Sequence, residues 1–280
     1  MKRRFSSQFL GMNSVVVYKG AAAYLIDPGV FPPELQRIRD FIDKEGFTTV
    51  NILLTHTHGD HISGWKTFGE YSVFIHRCQE QKTAQMRAND LRYVQGMYRK
   101  QGYNNFEWLA FPDHATLVDD GRFISLPPFS FAFFHVPGHS TDMTAIIVPE
   151  EKLMLSGDML IQTPIPFILH SIGQYWKSLQ RLQKLVLEYE INCLIPGHGQ
   201  PAFPQTEIVE RIVNEKKYVQ ELIKTGTKLV QQGLDDIRLK EELELHFAPW
   251  ARFHAHQVNV QTFLREYPNL IDNEFLDFNQ

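Results

Sequence analysis

At 280 residues the chain can hold one large domain or two modest ones, and 43% hydrophobic with 21% charged residues excludes a disordered or fibrous protein. A net charge of −4 provides no general attraction for phosphate backbones, so nucleic acid is not expected as a partner. Cys78 and Cys193, the two cysteines, form neither a disulfide framework nor a paired zinc motif, and both are expected to be structural.

Met1 to Arg4 has the charge of a signal-peptide start, but Phe5 to Gly11 lacks the continuous apolar core such a segment needs. No stretch approaches the roughly 18 apolar residues of a membrane span, so a soluble, cytoplasmic protein without membrane contact is expected. Val15 to Tyr18 and Ala21 to Ile26 read as strands joined by a Lys19-Gly20 turn. The second runs into Asp27-Pro28-Gly29, where Asp27 either starts a turn or orients a metal-bound histidine. Leu35, Ile38, Phe41 and Ile42 fall at helical spacing and Val50 to Leu54 is a short apolar run, a strand, helix, strand alternation that points to an α/β architecture.

Directly after that run comes Thr55-His56-Thr57-His58-Gly59-Asp60-His61. While the chain stays extended, side chains two apart share a side, so His56 and His58 point together. The turn at Gly59 then lets Asp60 and His61 aim elsewhere. Imidazole and carboxylate are ligands for zinc, iron and manganese, and one loop of this kind can serve two neighbouring ions.

Ile62 to Phe68 is expected to be a short helix, Tyr71 to Ile75 a strand closed by His76, and Arg77 to Arg99 a helix or helical pair. The aromatic stretch with Tyr103, Phe106, Trp108 and Phe111 is either a lid over a substrate pocket or an edge packed on the core. Strands follow at Phe123 to Leu126, Phe129 to Val136, Thr144 to Val148 and Lys152 to Leu155, with a helix carrying Tyr175, Leu179, Leu182, Leu185 and Val186 before Ile191 to Ile195. Several of these strands run into a possible ligand beside glycine: Pro137-Gly138-His139, Ser156-Gly157-Asp158 and Pro196-Gly197-His198-Gly199. Chance would not keep choosing strand ends next to a residue that lets the backbone turn sharply. His170 is the best of the remaining histidines for a substrate contact.

Helical patterns return after Pro204: Glu207 to Gln231, broken at Gly226, then Asp236 to His246 behind an Asp235-Asp236 cap, then Ala255 to Tyr267. Trp250 and Phe253 are candidates for exposed anchors.

In these motifs, and in their order, the chain resembles the metallo-β-lactamase superfamily of metallohydrolases, over roughly residues 13 to 200. The resemblance implies a four-layer αββα sandwich, here 1–204 as a catalytic domain and 205–280 as a C-terminal helical extension packed on it. It implies one metal at His56, His58 and His139, a second at Asp60, His61 and His198, and Asp158 bridging them, with Asp27 supporting a ligand. The implied activity is hydrolysis of an ester, thioester or lactone by a hydroxide bridging two divalent ions, zinc first and manganese or iron as alternatives, with Asp60 and Asp158 as the catalytic carboxylates. The partner is then a small-molecule substrate, and a homodimer is compatible. Asp158 stands where zinc β-lactamases usually lack a bridging aspartate, and Met159-Leu160-Ile161 follows where similar lactonases place a tyrosine, so neither activity is specially supported. Alternatives are a mononuclear iron persulfide dioxygenase, a phosphodiesterase or ribonuclease, and a non-catalytic binding module.

Overall fold

A computed structural model describes residues 1–271, with side chains to residue 267, so the last part of the expected 205–280 extension, 272–280, lies outside the described residues. Eleven strands form two sheets. In the first, β1 (Lys2–Ser6), β2 (Asn13–Lys19), β3 (Ala22–Ile26), β4 (Thr49–Leu54), β5 (Ser72–His76) and β6 (Thr116–Val118) lie side by side in chain order. The pairs β1 to β3 are antiparallel, and β3 to β6 run parallel, with Ile26 opposite Leu53 and Leu54 opposite Ile75. The second sheet has β7 (Phe123–Leu126), β8 (Phe129–His135), β9 (Thr144–Val148), β10 (Leu153–Leu155) and β11 (Cys193–Ile195), parallel only between β10 and β11.

Alternation along the strands sorts side chains between layers. Val15, Val17, Tyr24 and Ile26 meet Phe131, Phe133, Ile146 and Leu155 between the sheets. Val16 and Leu25, from the other face of the first sheet, pack on Leu35, Ile38 and Ile42 of α1 (Pro32–Glu45). Ala132, Phe134, Ala145 and Ile147, from the outer face of the second sheet, pack on Leu179, Leu182 and Val186 of α4 (Ile172–Glu188) and on Ile208, Ile212 and Val219 of α5 (Gln205–Gln231). Each such side chain contributes about 1.5–3 kcal/mol on burial, so the strand pattern alone drives the sandwich together. The layers are α, β, β, α, as the resemblance implied.

Three local features differ from expectation. The charged start forms β1, an edge strand paired to β2 with Arg4 opposite Val15. The Ile62 to Phe68 segment is divided into α2 (Gly59–Ile62) and a 3-10 turn at Trp65–Phe68, and Arg77 to Arg99 into a 3-10 turn at Arg77–Gln81 and α3 (Ala84–Lys100). Gly226 does not break α5, because its missing Cβ makes room for the Phe263 ring, 2.4 Å from where that atom would sit. This contact seats α7 (His254–Ile271) on α5, with α6 (Asp236–His246) capped by Asp235 as expected. Trp250 and Phe253 are half-buried in this helical layer, not exposed anchors.

Candidate metal centre

The cluster forms where loops leave the strand ends. Asp27 follows β3 with φ 49°, a left-handed backbone that aspartate tolerates better than most residues, and its carboxylate turns toward the end of β4. There Oδ1 accepts from the Thr55 amide at 2.9 Å and Oδ2 from the Thr55 hydroxyl at 2.7 Å. With its proton directed to Asp27, the Thr55 oxygen is free to accept from His56 Nδ1 at 3.1 Å. Asp27 Oδ2 also accepts from His61 Nδ1 at 2.9 Å. Both readings of Asp27 therefore hold: it sits in a turn and it orients a histidine. The sheets are tied together at this edge, where Thr144 N donates to Thr55 O at 3.0 Å and Gly197 N to Gly157 O at 2.6 Å.

All of the expected ligands meet here, in two groups. His56, His58, His139 and Asp158 form one and Asp60, His61 and His198 the other, each with its ligand atoms within 4.8 Å of one another. Asp158 reaches both: Oδ1 lies 3.1 Å from His61 Nε2, and Oδ2 lies 3.3 Å from His139 Nε2 and 3.5 Å from His198 Nε2. Asp60 Oδ2 is 3.2 Å from His198 Nε2, and His58 Nδ1 is 3.0 Å from His139 Nε2.

The outward ring nitrogens decide what the inward ones can do. His139 Nδ1 faces the Phe167 carbonyl at 2.7 Å and His198 Nδ1 the Leu10 carbonyl at 3.1 Å, and a carbonyl only accepts. Like His56 and His61, these two rings thus carry hydrogen on Nδ1 and turn Nε2 inward, the arrangement that prepares imidazole for a metal. His56 Nε2, His61 Nε2 and Asp158 Oδ1 are buried there without a hydrogen-bond partner. Converging buried acceptors left unsatisfied are costly unless a cation takes them up, so the residues fit a metal site.

Electrostatics agree. Burial, joined by the charge of His61 on His56 and of Lys82 on His58, holds both imidazoles well below their usual range, and hence neutral. Burial opposes ionisation of Asp158, yet His198, His61 and His139 outweigh it and keep that carboxyl well below its usual range. Asp60 is lowered in the same way, against burial, by His61 and His198. Burial likewise works against a charged His61, but Asp158, Asp60 and Asp27 raise it. The carboxylates thus draw positive charge into the cluster.

One part of the brace was not foreseen. Buried Asp142 accepts from the amide and hydroxyl of Thr57, at 2.9 and 2.5 Å, and from the Ser140 hydroxyl at 2.9 Å, so it ties the residue between His56 and His58 to the neighbour of His139. Lys82, whose side chain is 2% exposed, lies 3.3 Å from Asp142 and 2.7 Å from Asp90. No motif announces this pair; the only sequence signal is the aspartate shortly after Pro-Gly-His. Gly138 and Gly197 are required by close approach: a Cβ would lie 2.5 Å from Tyr175 Cα at the first and 2.2 Å from Asp158 Oδ1 at the second.

The remaining histidines fall elsewhere. His76 accepts from Cys78 N and stacks on His135, with ring centroids 5.5 Å apart, and His170 is half-buried beside the Gly138 carbonyl that its amide reaches at 3.0 Å. Tyr103, Phe106 and Trp108 pack with Phe31 and Tyr98 in a small core of their own. From α3, Tyr93 faces Phe9, whose ring is 6.4 Å from that of His198.

Comparison with known proteins agrees with this geometry. The family model of the Metallo-beta-lactamase superfamily matches residues 8–198. A probable metallo-hydrolase, YqgX, of Bacillus subtilis (strain 168) is 28% identical over 201 residues, covering 70% of this chain and 87% of that protein. A hydroxyacylglutathione hydrolase of Francisella tularensis subsp. tularensis (strain WY96-3418) is 27% identical over 188 residues, covering 66% of this chain and 63% of that protein, so less than two thirds of that relative is spanned. Among solved structures, a metallo-beta-lactamase family protein from Thermus thermophilus, TTHA1429, superimposes with a TM-score of 0.67 at 18% identity, over 95% of this chain and 94% of that one, a likeness of fold that runs into the C-terminal helices. With the family match covering every strand of both sheets except β1, and all the clustered ligands, this chain belongs to the metallo-beta-lactamase superfamily.

Proposed function

We propose that this chain is a metal-dependent hydrolase of small acyl compounds, an ester, thioester or lactone, with two divalent ions held at the paired groups. The observation that carries this reading is Asp158, whose two oxygens face histidines of both groups. His56, His58 and His139 would hold one ion, Asp60, His61 and His198 the other, and Asp158 both. Nitrogen and oxygen donors without thiolate suit zinc, manganese and iron alike, and zinc is our first choice. When bound, such ions supply Lewis acidity toward a carbonyl oxygen and make water acidic enough to attack near neutral pH.

The chain's own groups supply the rest. Asp60 is ionised and at the cluster, which suits it to accept a proton from the attacking water and return it to the leaving group. Cys78 cannot serve as a nucleophile, since burial raises its thiol pKa and the thiolate is the reactive form. The names of YqgX and of the hydroxyacylglutathione hydrolase support hydrolysis and, for the second, an acyl-sulfur bond. We place the catalytic part at residues 1–204 and treat the helices from 205 as an extension of it.

Metal content measured alongside turnover of thioesters, carboxylic esters, lactones and phosphodiesters tests the reading. Two ions per chain with acyl hydrolysis, lost in His58→Ala, is the expected result. Turnover of phosphodiesters alone would replace the substrate class. A single iron with oxygen consumption would replace the reaction, and an inactive, fully metallated protein would favour a binding role.

A further inference from the structure

The segment Pro166–Ser171, on the way from β10 to α4, stands between the cluster and α7. On its inner side the Phe167 carbonyl accepts from His139 Nδ1 at 2.7 Å, and the amides of His170 and Ser171 donate to the Gly138 carbonyl at 3.0 and 3.1 Å. The Phe167 ring lies 5.8 Å from the His139 ring. The segment therefore fixes both the backbone before His139 and the proton on its outer nitrogen.

Its outer side is held almost wholly by α7. Asn259 accepts from Ile168 N and donates to Pro166 O, each at 2.8 Å, and the Thr262 hydroxyl donates to Ile168 O at 2.9 Å. Arg265 donates to the carbonyls of Leu169 and His170 at 3.0 and 2.8 Å. Glu266 accepts from the Ser171 hydroxyl at 2.5 Å and from Ile172 N at 2.6 Å. Asn259 and Thr262 are buried, and Asn259 is itself tied to α5 by the Tyr218 hydroxyl at 3.0 Å. Positions 259, 262 and 266 share one helix face, so a single surface of α7 satisfies backbone groups that no strand ladder reaches.

We propose that α7 is a positioning element of the metal site: through Asn259 and Thr262 it holds Pro166–Ser171 so that the Phe167 carbonyl sets the tautomer and ring orientation of His139. The inference rests on the cluster binding metal. It makes the C-terminal extension a working part of the site although no α7 residue belongs to either ligand group. Outer partners of a metal-bound histidine change metal affinity by about 10- to 100-fold, and that is the scale of effect expected here.

Cobalt(II) binding to the full chain provides the test, read by its visible absorption and by competition with a chelator. In Asn259→Ala/Thr262→Val, and more mildly in Thr262→Val alone, one of the two cobalt ions should bind about tenfold or more weakly with an altered spectrum, while Thr262→Ser restores the wild-type values. Leu243→Ala, which removes a buried side chain of α6 in the same helical layer, controls for general loosening: its Tm should fall while its cobalt spectrum and affinities stay wild-type. In the metal-free protein, imidazole nitrogen NMR should show His139 losing its preference for hydrogen on Nδ1 in the double variant only. Wild-type cobalt binding in the double variant overturns the proposal, as does an equal change in Leu243→Ala. A wild-type chain that takes up no cobalt overturns the metal reading itself.

Discussion

The two halves of the cluster are braced by different chemistry. His56, His58, Asp60 and His61 come from one contiguous run, and side-chain carboxylates hold it: Asp27 against Thr55 and His61, Asp142 against Thr57. His139 and His198 arrive one at a time from separate connections, and main-chain carbonyls of Phe167 and Leu10 hold their outer nitrogens. A side-chain brace can be removed by one substitution that leaves the backbone in place. A carbonyl cannot, so the second half is disturbed only by moving the chain that carries it.

The largest effect should come from the residue both halves share. Asp158→Ala takes a ligand from each group, so metal affinity and turnover should both fall by more than about a hundredfold, the upper figure for losing a mere outer partner. Metal content after dialysis and steady-state kinetics report it. Retention of both ions would dissolve the link between the halves.

Next is Gly197→Ala, a backbone test of the second half. The new Cβ would stand 2.2 Å from Asp158 Oδ1 and 2.8 Å from His61 Cε1, both inside the cluster, while the residue itself binds nothing there. Affinity should fall by about a hundredfold with the fold retained. Normal binding would show that Asp158 can move aside freely. Asp27→Asn is the smaller, side-chain counterpart on the first half. It keeps an acceptor oxygen and tolerates the left-handed backbone but removes the charge beside His61, so the loss in affinity should be nearer about tenfold. Chelator competition separates the two cases.

The same contrast explains what could be read from the chain. The run from His56 to His61 was legible because its ligands lie together at a strand end, and His139, Asp158 and His198 because each follows a strand and a glycine. The sandwich was legible from apolar strands alternating with helical spacing. Lys82, Asp142, Asn259 and Thr262 were not, because a polar residue on a helix or beside a turn looks solvent-facing until tertiary structure buries it. β1 was missed for a related reason: an edge strand needs little apolar pattern, and Lys2, Arg3 and Arg4 resemble a leader more than a strand. Gly226 was read as a helix break when it serves close packing against Phe263.

The backbone-held half depends in turn on a buried polar pair that touches no ligand, and that pair should show in stability rather than in metal binding. Tyr175, whose Cα crowds Gly138, donates its hydroxyl to Glu215 of α5 at 2.7 Å. Burial raises the Glu215 pKa from 4.5 to about 8, the tyrosine hydroxyl only partly opposing it. The native state therefore keeps this proton through a range in which the unfolded chain has already released it. Between pH 4.5 and about 8 the unfolded state binds fewer protons, so this group's contribution to stability falls as pH rises, by at most about 5 kcal/mol, and levels off once the native state ionises too. Glu215→Gln keeps an acceptor for Tyr175 and removes the titration. Urea unfolding of the two metal-free proteins across this range should show the variant gaining on the wild type by a few kcal/mol toward pH 8, or several degrees in Tm. Parallel stability curves would mean that Glu215 is already ionised in place, and that the helices holding Gly138 are locked by charge rather than by a shared proton.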